Sequence, residues 1–158
     1  MNSKEHEVIK GLDEVLKLSY ITELINTTVL EAEEDLYNSK LPSITKTVPL
    51  KIFEDKLPNF INLCRVFILC ANTESKIERH TNSFQRTMSW KGFGKTKVLT
   101  GNEWMLHKSR ASKDANLESR WLSVPSNTWH QPISGDKNWV TVTFHTAGEN
   151  EIIDEYQS

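Results

Sequence analysis

At 158 residues, 37% of them hydrophobic and 25% charged, the chain fits one domain with a core of its own. A formal net charge of −2 and the lack of any basic stripe exclude an electrostatic footprint for nucleic acid. No apolar run approaches the roughly 18 residues of a membrane helix. The opening MNSKEHEVIKGLDEV has no apolar secretory core, so a cytoplasmic location is expected.

From Ser3 to Tyr37 apolar residues recur at helical spacing: Val8, Leu12, Val15 and Leu16, then Ile21, Leu24 and Ile25. The pattern predicts two amphipathic helices with a break near Asn26–Thr28. The acidic run Glu31, Glu33, Glu34, Asp35 reads as a solvated helix face. Pro42 and Pro49 then punctuate the chain, and little before Leu63 has a clear period.

From Leu63 onward the text is β. Cys64, Val66, Ile68 and Cys70 alternate with Leu63, Arg65, Phe67 and Leu69, which predicts a largely buried strand. In one extended strand Cys64 and Cys70 would stand about 20 Å apart, so free thiols are expected. Further strands are predicted near Lys76–His80, Gln85–Lys91, Lys95–Thr100 and Glu103–His107. Gly101-Asn102 between the last two is a hairpin signal. Lys108–Leu117 is polar and without period, a loop; Arg120–Val124 and Asn138–His145 complete the predicted strands. Many short strands with regular turns point to a β-sandwich or closed barrel.

Two segments carry the chemistry. In the first, Glu78 and His80 lie two residues apart and share a strand face, followed by Gln85 and, later, Gly92. The second runs Ser119, Pro125, Asn127, Trp129, His130. Gln85 shares its face with Thr87 and Ser89, while Arg86, Met88 and Trp90 face the other way. Polar groups on a barrel's inner face make a wet or metal-bearing pocket rather than a dry core. Glu78, near a strand end, is either solvated or turned inward; inward, it needs a cation or a proton.

The spacing of both segments resembles the cupin superfamily. Glu78 stands at the first histidine position of the first motif, His80 at the second, Gln85 at the glutamate and Gly92 at the glycine. In the second motif Ser119, Pro125, Asn127 and His130 fit without a gap, and Asn tolerates the positive φ of a glycine position. The resemblance spans roughly Leu63 to Thr146. It implies a mainly β, single jelly-roll barrel (residues 46–158) with an N-terminal helical extension (residues 1–45) packed on it. A homodimer acting on a small molecule is the implied assembly.

Position by position, the resemblance implies Glu78, His80, Gln85 and His130 as ligands of a divalent metal. Two imidazoles and one carboxylate suit Fe(II) first, with Zn or Mn as alternatives. This is the donor set of oxygen-activating iron enzymes, so a dioxygenase-type reaction is expected. Gln85 could instead orient substrate. His145 closes a strand whose polar face (Trp139, Thr141, Thr143) could line the pocket, as a general acid or base. The ligand set also weakly resembles that of phosphomannose isomerases, with glutamine and glutamate exchanged. Separately, Glu78 or His145 as a proton-transfer base keeps open an isomerase, epimerase or dehydratase acting on a sugar-like metabolite. A metal-free pocket that only binds a ligand is the third reading. Trp129 is expected as a pocket wall, Arg120 in a surface ion pair, and His6 and His107 at the surface.

Overall fold

The structure, a computed structural model, describes residues 1–158. Its first helix, α1 (Ser3–Leu16), starts where the Asn2 side chain accepts a hydrogen bond from the Glu5 amide at 2.8 Å, satisfying one of the free N-terminal donors. The second, α2 (Ser19–Ser39), runs unbroken through the residues where a break was predicted. Thr27 and Thr28 are accommodated because their hydroxyls bond back to the Glu23 and Leu24 carbonyls, one turn earlier. Asn26 is held by the Trp90 indole N–H. The break falls at Leu18 instead, whose extended backbone (φ −63°, ψ 128°) redirects the chain.

Ten strands follow: β1 (Ser43–Val48), β2 (Leu63–Leu69), β3 (Glu78–His80), β4 (Gln85–Lys91), β5 (Phe93–Thr100), β6 (Glu103–Arg110), β7 (Trp121–Val124), β8 (His130–Ser134), β9 (Trp139–His145) and β10 (Asp154–Tyr156). They form two five-stranded antiparallel sheets, in the orders β1-β2-β9-β4-β7 and β10-β3-β8-β5-β6. A 3-10 turn, Leu50–Phe53, follows β1, and a short helix, α3 (Leu117–Arg120), leads into β7. β1 straddles residue 45, where the helical extension was expected to end. Of the expected loop Lys108–Leu117, the first three residues belong to β6.

The apolar core lies outside the barrel. Ile9, Leu12 and Leu16 of α1, with Ile21, Ile25, Val29, Ala32 and Leu36 of α2, form one stripe at helical spacing. It packs on Cys64, Val66, Ile68, Val140, Val142 and Phe144, the outer face of the first sheet. The inner faces of the same strands carry Arg65, Phe67, Leu69, Thr141, Thr143 and His145, which line a cavity between the sheets. Period-two alternation therefore sorts β2 and β9 into an apolar face for the helices and a largely polar one for the interior.

Two carboxylates, a buried one and a half-buried one, fasten α1 to this sheet. Asp13 accepts from both terminal nitrogens of Arg120 and from the Trp121 indole. Glu5 accepts from the Arg86 guanidinium at 2.6 and 3.0 Å. Arg120 is thus buried in an ion pair with the helix rather than at the surface. Arg86 faces away from the cavity, as parity requires. His107 is half-buried, not at the surface, and burial lowers its pKa. The thiols of Cys64 and Cys70 are free, and burial pushes that of Cys64 well up. No helix is long and apolar enough to cross a membrane.

Candidate metal centre

The barrel encloses a cavity of about 570 Å³ between the sheets, and Glu78, His80, Gln85, His130 and His145 all line it. β3 supplies Glu78 and His80 from alternate positions of one face; β8 supplies His130, which lies opposite Glu78 in the antiparallel register. Ligand atoms of Glu78, His80 and His130 lie within 4.8 Å of one another. The His80 and His130 ring centroids are 5.3 Å apart, and His145 stands edge-on to His80 at 4.9 Å. Gln85 and His145 are direct register partners between β4 and β9, so both side chains reach the cavity from neighbouring strands.

Backbone geometry at two turns sets these positions. Asn127, three residues before His130, has φ +62°, which Asn adopts more readily than most residues. Its amide donates to the His80 carbonyl at 2.8 Å, tying the second motif directly to the first. Gly92 has φ +78°, and a Cβ there would sit 2.6 Å from the Asn138 carbonyl oxygen. Only glycine allows the tight passage from β4 into β5.

Hydrogen bonding fixes the tautomers. His130 Nδ1 lies 2.9 Å from the Thr128 carbonyl, which can only accept, so the ring carries its proton there and Nε2 keeps a bare lone pair. His80 Nδ1 is 2.6 Å from an Asp154 carboxylate oxygen, the usual partner that orients a ligating imidazole. His130 Nε2 is buried with no hydrogen-bond partner. It faces Glu78 Oε1 at 3.6 Å, too long for a hydrogen bond.

A lone pair and a carboxylate, buried and facing each other, call for something positive between them. The electrostatics agree. Burial raises the pKa of Glu78, against the opposing pull of His80. Burial lowers that of His130 to about 4, and that of His145 well below the ordinary imidazole value. A neutral His130 imidazole with a bare Nε2 beside a carboxylate without a partner matches the needs of a divalent cation, so the donor set fits a metal.

Several cavity residues escaped the sequence reading. Asp154 and Tyr156 arrive on β10, three residues long and paired only with β3; nothing in Asp-Glu-Tyr marks it as a strand. Arg65, seen only as the polar partner of a buried strand, also lines the cavity. Trp129 is not a pocket wall: the Arg79 guanidinium lies over its ring at 4.4 Å, and it is absent from the cavity lining. The reason is parity, since His130 takes the inward position and its neighbour must point out.

Solved structures share this architecture. An oxalate oxidase bound to the substrate analogue glycolate superposes with a TM-score of 0.55 at 13% identity, covering 71% of this chain and 54% of that one. An oxalate decarboxylase from Lactobacillus farciminis, as a formate complex, gives 0.56 at 11% identity, covering 73% and 31%. The pro-11S globulin of pumpkin gives 0.55 at 15%, covering 73% and 28%. The chain thus spans about half the length of the oxidase and less than a third of the other two. No family model and no curated protein matches the sequence. Two antiparallel sheets stacked around the cavity, in an architecture shared with these enzymes and seed globulins, give the chain a jelly-roll fold of the cupin type.

Proposed function

We propose that the protein is a metal-dependent enzyme acting on a small-molecule metabolite, with Glu78, His80 and His130 as the metal ligands. One observation carries this reading: the partnerless Nε2 of His130, buried against Glu78 at the wall of a cavity large enough for a metabolite. Fe(II) is the favoured ion, Zn or Mn the alternatives. Bound there, Fe(II) would supply redox and Lewis-acid chemistry, and an oxygen-dependent oxidation of dioxygenase type is the favoured reaction. Gln85 supplies a neutral amide on the cavity wall beside the triad; we assign it to a weak fourth ligand position or to orienting the substrate. We assign His145, whose pKa burial lowers, to taking a proton from substrate or returning one. The hydroxyls of Thr87 and Thr143, 2.9 Å apart, lie on the same wall and orient polar groups.

The test is elemental analysis of protein purified without chelator, then of His130→Ala. About one equivalent of metal is expected in the first and none in the second; equal content in both removes the assignment. The neutral, buried His145 also supports a non-redox reading, isomerisation, epimerisation or dehydration of a sugar-like metabolite. Turnover that persists without oxygen would select it over the oxidation. The homodimer implied by the resemblance stands as a proposal, and a monomer in sedimentation equilibrium removes it.

A further inference from the structure

β1 and β10 are the outer strands of their sheets on the same side, and no strand pairs across them. At the opposite edge the sheets are joined through Ser89 of β4 and Ser109 of β6, whose hydroxyls are 2.8 Å apart. Thr45 of β1 and Tyr156 of β10 line the slot between these two strands, and two cations line the cavity with them. Arg65 projects inward from β2, paired in register with Thr47 of β1 and Thr143 of β9. Lys76 lies two residues before Glu78 on the same cavity wall, its Nζ 5.6 Å from the Tyr156 ring centroid.

Neither cation is used up by the fold. Lys76 forms no ion pair and is exposed at the rim. Arg65 reaches Glu149, but at 3.4 Å through one nitrogen, with Glu149 half exposed and also accepting from Thr47. It shares the cavity lining with Glu78, His145 and Tyr156. Of the acids lining the cavity, Glu78 belongs to the metal triad, Asp154 is occupied by His80, and Glu74, two residues before Lys76, is exposed with its backbone bridged to Ile133. Below the triad the walls turn apolar, with Phe67, Leu69, Leu122 and Trp139.

We propose that the substrate is a small carboxylate carrying an apolar body, its carboxylate drawn into the slot and held between Arg65 and Lys76 beside the metal triad. The planar fork of Arg65 matches a carboxylate, and Lys76 adds a mobile point charge. No glycine-rich loop is present to cradle a phosphate. This inference rests on the reading of the cavity as a metal-dependent substrate site.

The experiment titrates zinc-loaded protein with benzoate and with its uncharged analogue benzamide, by calorimetry, alongside Arg65→Met and Lys76→Met. Zinc content and melting temperature are measured for every sample. Benzoate is expected to bind at least about tenfold more tightly than benzamide, the equivalent of one charge-assisted hydrogen bond. Each variant should lose about the same factor for benzoate while keeping its zinc. Lys76 is exposed, so its variant remains informative should the Arg65 variant fold poorly. Equal affinity for the two probes, no binding of benzoate, or full binding by folded variants would overturn the proposal. Wild-type protein that retains no zinc would instead overturn the metal reading, a result read separately from benzoate binding.

Discussion

His80 and His130, the proposed metal ligands, are oriented by what holds their other nitrogens. The Thr128 carbonyl fixes one ring and the Asp154 carboxylate the other, so each can turn Nε2 toward Glu78 without searching rotamers or tautomers. Asp154→Ala should therefore leave the three ligands in place yet weaken metal binding by about 10–100-fold, since the supporting carboxylate also raises the basicity of the imidazole. Competition against a chelator of known affinity measures this. An unchanged metal affinity would show that Asp154 merely pairs β10 to β3.

Elements are joined here by charge as well as by apolar contact. Helix α1 meets the first sheet through Asp13, buried with Arg120, whose loss would strand a guanidinium in the interior. Asp13→Asn is expected to cost about 3–5 kcal/mol of stability, the range for breaking a buried pair by removing one partner. Burial alone would raise the Asp13 pKa, but hydrogen bonds from Arg120, Trp121 and Lys17 bring it below its ordinary value. A depressed carboxyl contributes stability that is complete above its unfolded pKa, near 3.8, and is lost as pH falls through the lower folded value. Denaturant titrations should show this contribution fading below about pH 4 in the wild type, and missing at all pH in the variant.

For the molecule as a whole, the helices supply the dry core that the barrel interior does not. Each Ile or Leu they bury on the outer face of the first sheet contributes roughly 1.5–3 kcal/mol, and eight such apolar helix residues are packed there (counting Val29 and Ala32). Removal of residues 1–40 would leave Val66, Ile68, Val140, Val142 and Phe144 facing water. Such a truncated chain is expected to aggregate or to bind a hydrophobic dye, with no cooperative unfolding transition. A soluble, cooperatively melting barrel would show that the sheets stand alone. The arrangement also leaves the interior free to be polar, which a metal centre requires.

Much of the β architecture could be read from alternation, because strand parity is a local property. The faces of β2, β4 and β9, the Gly101-Asn102 hairpin and the positive φ of Asn127 all follow from residues within a few positions of each other. The same holds for Glu78, His80 and His130, whose spacing in two segments pointed to one interior. What lies beyond the sequence is long-range. β1, β8 and β10 are too short or too irregular to announce themselves, and their pairing decides which groups meet. Only the return of the last strand puts Asp154 on His80, and only the packing of α1 turns Arg120 from a surface cation into a buried one. Local pattern fixes which way a side chain points; which neighbours it finds there depends on contacts far apart along the chain, and those the folded chain alone decides.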